Sequence, residues 1–132
     1  MEPRFEIVVR AFILDDDGRV LLAKRAKEPE KNKWSLVGGK VEWHEKAIDA
    51  VVREVKEELN IIFVPTFEFY TEYFFPNKKH HCHILYFSGS YSGTIHTKKD
   101  EITDVKFFSI TEIQEMKDIA WDHGENIQRY FK

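Results

Sequence analysis

Between Lys46 and Leu59 the chain changes its period. Ile48, Val51, Val52, Val55 and Leu59 recur at helical spacing and form one apolar stripe about four turns long. A helix of this kind owes most of its stability to burying that stripe, so the remaining chain must supply a surface to receive it. The same segment carries an anomaly. Glu54, Glu57 and Glu58 stand at i, i+3 and i+4 on one face, beside the stripe rather than opposite it. Like charges at that spacing repel, and the negative end of the helix dipole disfavours each exposed anion there by roughly 0.3–1 kcal/mol. One and two turns back lie Ala50 and Ala47, whose small side chains read as open space over the carboxylates. Space beside clustered oxygens suggests a cation. Taken alone, Glu54 to Glu58 reads first as a solvated face, with Arg53 and Lys56 offsetting the repulsion.

The segments around this helix read as strands and loops. Phe5 to Leu14 is rich in Phe, Ile and Val; Asp15 to Gly18 is a turn signal; Val20 to Ala23 is a second apolar run. Lys27 to Lys33, with Pro29, reads as a loop, and Trp34 to Val37 as a short strand ending at the pair Gly38-Gly39. After the helix, Ile61 to Phe75 and His81 to Tyr91 are aromatic and β-branched runs joined by Pro76-Asn77-Lys78-Lys79, and are expected to pair antiparallel. Thr94 to Asp100 reads as a polar loop and Val105 to Ser109 as a strand. Thr111 to Met116 reads as a helical turn or two capped by Thr111, and Asp122 to Phe131 as a final helix. This order predicts a mixed sheet flanked by helices in one domain over residues 1–132.

Composition narrows the function classes. With 20 Lys plus Arg against 23 Asp plus Glu, mixed along the chain for a net charge of -3, there is no broad basic field for nucleic acid or an anionic membrane. Any polyanion must be met at a local site. The single cysteine, Cys82, excludes an internal disulfide framework and a four-thiolate zinc site. His81 and His83 alternate on a strand and share a face, but no third ligand accompanies them at a known spacing, so zinc is not expected there. No apolar run reaches membrane-spanning length, and the N-terminus MEPRFEIVVR has a proline and charges where a signal peptide needs an apolar stretch. A soluble cytoplasmic protein is the expectation.

Wider spacing gives the carboxylates a context. Gly39, five residues, Glu45, seven residues, Arg53-Glu54-Val55-Lys56-Glu57-Glu58 and, two positions on, Ile61 closely resembles the signature of the Nudix hydrolases. Upstream, the strand bearing Lys24-Arg25, the loop, Trp34 and the double glycine resemble that family's lead-in. Downstream, Asp100 to Ile113 resembles its closing strand and short helix, so the likeness spans nearly the whole chain. Three positions depart from the family pattern. Asn60 stands where a glycine usually holds a left-handed backbone, and Asn is the next best residue for it. Val37 replaces a common proline, which should loosen the loop, and His44 stands where a glycine often precedes Glu45.

The resemblance implies an α/β/α sandwich with a mixed β-sheet and a metal-dependent enzyme that cleaves a nucleoside diphosphate linked to another group. It implies Mg²⁺ or Mn²⁺, with Glu57 and Glu58 as leading ligands, Glu54 as ligand or base, and a backbone carbonyl of Gly38 or Gly39 adding an oxygen. By the same resemblance Arg53, with Glu45, steadies the carboxylates, and Glu101 lies where several members supply an extra ligand or base. Arg25 and Lys40 are candidates for substrate phosphates. The implied partner is a nucleotide-type small molecule, with a homodimer left open. A nucleoside triphosphate, such as a damaged or non-standard one, is the preferred substrate. Pro76, fifteen residues beyond Ile61, resembles a marker of the ADP-ribose-cleaving branch, although any tight turn would use Pro76-Asn77. A module that binds a nucleotide without turnover is the rival from another class.

Overall fold

A computed structural model describes residues 2–75 and 79–132; the turn expected at Pro76-Asn77, and Pro76 as a substrate marker, lie outside the described residues. The strands are β1 (Arg4–Ile13), β2 (Val20–Arg25), β3 (Trp34–Ser35), β4 (Val37–Lys40), β5 (Ile62–Phe63), β6 (Thr66–Phe75), β7 (His80–Gly89), β8 (Tyr91–Ser92) and β9 (Ile102–Phe108). The helices are α1 (Ala47–Leu59), α2 (Ile110–Glu115) and α3 (His123–Tyr130). A four-stranded sheet runs β4-β1-β7-β6, a three-stranded one β3-β2-β9, and β5 pairs with β8. The β1–β7 pair is parallel and the other ladders are antiparallel, so the expected mixed architecture is the one observed.

Side-chain alternation along β1 separates two cores. Val9, Ala11 and Ile13 point to one face and pack with Val51, Val55 and Leu59 of α1. Val8 and Phe12 point to the other and pack with Ile113 of α2 and Ile127 of α3. Helices thus cover the strands from both sides, which makes the α/β/α layering.

Several boundaries differ from the sequence reading, each for a local reason. Trp34 to Val37 is two strands, because the chain leaves β2 after Ser35 and joins β1 from Val37. Gly38 and Gly39 therefore lie inside β4 rather than after a strand, and Val37 is buried opposite Ala11 rather than loosening a loop. The Leu14–Val20 bridge beside the Asp15 turn links the end of β1 to β2, and the two strands then diverge into different sheets. The run from His81 divides at Ser90, after Gly89, where any Cβ would strike the Val64 carbonyl. α2 is capped by Ser109, not Thr111. The Ser109 hydroxyl accepts from the Glu112 N–H at 3.2 Å and the Glu112 carboxylate accepts from the Ser109 N–H at 3.0 Å, a reciprocal capping box.

The left-handed end of α1 is as expected, with Asn60 at φ 60°, ψ 33° and its N–H bonded to the Lys56 carbonyl. His44, at φ 63°, shares the conformation that favours glycine. Asn60→Gly should leave the melting temperature unchanged or raised, whereas Asn60→Val should cost about 1–2 kcal/mol. Equal melting temperatures for the two variants would contradict this ending of the helix.

Candidate active site

β4 is an edge strand, and α1 packs across it. Gly39 makes the close approach possible, because a Cβ there would overlap the Glu54 carboxyl group. Gly38 donates its N–H to Glu58 Oε2 at 3.2 Å. The glycine pair is thus a flat wall against which two of the three carboxylates rest. Ala50 does not open space over them as its size had suggested. It is fully buried in the core beneath α1, with Ala47 packed at the margin, so both are small for helix–sheet contact. The room lies over the glycines instead.

The three glutamates differ in environment despite their shared spacing. Glu57 is about half exposed (53%) and Glu54 mostly covered (16%). Burial, with the Glu54 charge second, pushes Glu58 up to about 8, and Glu54 is also raised, chiefly by burial. Arg53 binds the group together. Its Nε and Nη2 donate to the two Glu45 carboxylate oxygens at 2.7 and 2.9 Å. Its Nη1 donates to Glu54 Oε1 at 2.9 Å and reaches Glu57 at 3.3 Å, while Nη2 also meets the Lys40 carbonyl at 3.0 Å. This fork draws Glu45 down to about 2, with the Arg53 hydrogen bonds as the largest cause. Glu101, just before β9, lies close enough for its charge to help raise Glu58.

Beside the glycines opens a cleft of about 360 Å³ whose lining includes Arg10, Arg25, Lys40, Trp121 and His123. Arg25 and Lys40 are therefore brought to one site. Arg25 donates from Nε to the Pro29 carbonyl at 2.8 Å and lies 4.8 Å over the Trp121 ring. The Lys40 ammonium sits 3.2 Å from Glu6.

Arg10 and His123 were not found from sequence. Arg10 is the charged position that stands between Val8 and Phe12 on the face of β1 packed beneath α3, and a charge between two apolar same-face neighbours was the available signal. His123 is buried, and its Nδ1 accepts the Leu36 N–H at 3.0 Å. Burial first, then Arg10 and Arg25, hold its pKa well below the usual histidine value. The neutral ring with an accepting Nδ1 carries its proton on Nε2. Arg10 Nε, 3.4 Å from that Nε2, consequently faces a donor rather than an acceptor. Among the described residues, the Val9 carbonyl at 3.0 Å is then the acceptor left to a guanidinium with five donors. Burial lowers the Arg10 pKa, and no carboxylate forms an ion pair with it among the described residues.

The profile of the NUDIX domain family matches residues 4–130. A CTP pyrophosphohydrolase of Escherichia coli is 46% identical over 56 residues, which cover 42% of this chain and 42% of that protein. An ADP-ribose pyrophosphatase of Methanocaldococcus jannaschii is 30% identical over 122 residues, covering 91% of this chain and 70% of the relative. A crystal structure of a MutT NUDIX hydrolase from Burkholderia pseudomallei superposes with TM-score 0.85 at 26% identity, covering 95% of this chain and 97% of the other. Among the described residues, no helix is long and apolar enough to cross a membrane.

Proposed function

The chain belongs to the Nudix hydrolase family, and from that premise we propose that it is a pyrophosphohydrolase cleaving nucleoside triphosphates to the monophosphate and pyrophosphate. The observation that carries this reading is the junction of two features at Gly38-Gly39: a carboxylate cluster on α1 and a cleft lined by Arg10, Arg25 and Lys40. Three cations along one cleft suit a chain of phosphates better than an uncharged ligand. The E. coli relative bears the name of a triphosphate-cleaving enzyme, although the matched stretch spans less than half of that protein.

The donors fit a hard divalent cation, Mg²⁺ or Mn²⁺. Glu54, Glu57 and Glu58 offer carboxylate oxygens, Gly38 and Gly39 lie against Glu58 and Glu54, and Glu58 is raised to about 8 by burial and then by the Glu54 charge, which a cation would offset. Bound there, such a cation offsets charge developing on the phosphates and lowers the pKa of water. Arg53 keeps Glu54 and Glu57 in place through the Glu45 pair. Glu54, the more covered of the two, and Glu101, whose charge acts on Glu58, are the candidates to take the proton from the attacking water. Arg10, Arg25 and Lys40 hold the phosphates, Arg10 with most of its donors unspent.

Replacing Arg10 by Ala should lower kcat/KM by about 10–100-fold, the equivalent of about 1.5–3 kcal/mol for a hydrogen bond to a charged group. Arg10→Lys should recover only part of this, because an ammonium lacks the planar fork. Stability should not fall with the activity, since the substitution removes a half-buried charge without an ion-pair partner among the described residues. An unchanged kcat/KM in both variants would remove Arg10 from the site.

ADP-ribose is a second reading, favoured by the relative that aligns over 91% of this chain. Competition between a nucleoside triphosphate and ADP-ribose in one Mg²⁺ assay decides between them, read as the ratio of kcat/KM values. The triphosphate should win; a clear preference for ADP-ribose would overturn the substrate assignment while leaving the hydrolase chemistry intact.

A further inference from the structure

On the opposite face of the β6–β7 ladder from the cleft, Glu72, His81 and His83 present ligand atoms that all lie within 4.8 Å of one another. The sequence offered only the two histidines; the strand register supplies the third donor. Glu72 is directly across from His83, and His81 follows two positions earlier on the same face. His81 Nε2 stands 2.8 Å from Glu72 Oε1, and His83 Nδ1 stands 3.9 Å from that same oxygen. A cross-strand hydrogen bond between Glu72 and His81 accounts for the shorter distance but gives no reason for His83 to aim its Nδ1 at the same atom.

We propose that Glu72, His81 and His83 form a second metal site, separate from the α1 carboxylates, which binds a borderline transition cation of the Zn²⁺ type. Two imidazoles and a carboxylate are a donor set for Zn²⁺, Co²⁺ or Ni²⁺, whereas Mg²⁺ prefers oxygen ligands and its own waters. Bonds of about 2.0–2.1 Å at tetrahedral angles place neighbouring ligand atoms about 3.3 Å apart, between the two observed separations, so small side-chain rotations suffice. Phe5 and Phe74 flank the group. The Phe5 ring lies 5.0 Å from His81 and 5.9 Å from His83, and the Phe74 ring lies 4.4 Å from His81. These rings restrict the imidazoles, which lowers the ordering cost of binding. The side chains remain 27%, 35% and 39% exposed for His81, His83 and Glu72, so the site is open to an entering ion and keeps a fourth position for water. Because its ligands come from both β6 and β7, an ion there ties those strands together.

Co²⁺ titration of the full chain distinguishes this site from the carboxylate cluster by colour. Four- or five-coordinate Co²⁺ with imidazole ligands absorbs far more strongly in the visible than octahedral, all-oxygen Co²⁺, and saturating Mg²⁺ keeps the oxygen site filled during the titration. The expected result is an intense visible band at one equivalent of Co²⁺, displaced by Zn²⁺ and retained in Glu57→Gln. Loss of an outer partner of a ligand already weakens metal binding 10–100-fold, so His81→Ala and His83→Ala should each weaken Co²⁺ binding by at least about 100-fold while leaving Mg²⁺-dependent turnover unchanged. Absence of the band, its persistence in both histidine variants, or its loss in Glu57→Gln would overturn the proposal. None of these outcomes depends on which nucleotide the cleft accepts.

Discussion

Glu57→Gln and Glu58→Gln should each reduce Mg²⁺-dependent turnover by about 10²–10³-fold without unfolding the protein. The size follows from the several kcal/mol that a positioned cation contributes to a phosphoryl transition state, at about 1.4 kcal/mol per tenfold in rate. The two variants should part company in stability. Glu57 is half exposed and already near Arg53, so its replacement should change the melting temperature little. Glu58 is different, because folding raises its pKa from 4.5 to about 8, chiefly by burial. A carboxyl raised on folding takes up a proton as the protein folds, so stability is lost as pH rises from 4.5 toward 8 in metal-free buffer. Glu58→Gln should therefore melt higher than the parent at neutral pH, and the advantage should vanish below about pH 4.5. Near-parental activity in both variants, measured with saturating Mg²⁺, would place the metal elsewhere.

Adjacent glycines should separate fold from function. In Gly38→Ala the new Cβ would strike the backbone carbonyl of Val9 in the neighbouring strand β1, which has no free rotation to escape. The expected loss is about 3 kcal/mol of stability, at the upper end of the range for overpacking. In Gly39→Ala the atoms nearest the new Cβ are all in the Glu54 carboxyl group, the movable end of a side chain. The fold should survive with a smaller loss, but Glu54 must shift, and a displacement of about 1 Å at a reacting centre costs on the order of 100-fold in rate. Thermal melts and turnover on the two variants test the contrast. It fails if Gly38→Ala keeps parental stability or Gly39→Ala keeps parental activity.

The glycine contrast also marks what the sequence could and could not convey. Helix α1 and its left-handed end at Asn60 were legible, because a 3.6-residue period and a residue suited to αL are local properties; of the stripe, Val51, Val55 and Leu59 are buried while Ile48 stays exposed. A mixed sheet flanked by helices was legible from the order of the strand runs and helical segments, and the α/β/α layering from the family resemblance. The crossing from β3 to β4 at Leu36 was not, since which strand pairs with Trp34 and which with Val37 is a tertiary matter. Ala50 was misread as a window because spacing alone does not say on which side of the helix the sheet lies. Arg10 and His123 escaped notice because they meet across 113 positions in the chain, and neither belongs to a spaced motif. Glu72 was missed as the companion of His81 and His83 because its place opposite them is set by the β6–β7 register.

The central claim is that the α1 carboxylates and the adjoining cationic cleft together hydrolyse a phosphoanhydride bond. Its most direct test is ³¹P NMR of a nucleoside triphosphate, such as CTP, incubated with the pure protein and Mg²⁺, with and without excess chelator. The account predicts nucleoside monophosphate and pyrophosphate in equimolar amounts over many turnovers, abolished by the chelator and slowed about 10²–10³-fold by Glu57→Gln. Nucleoside diphosphate with orthophosphate, or tight one-to-one binding of each nucleotide tested with none of it hydrolysed, would contradict it.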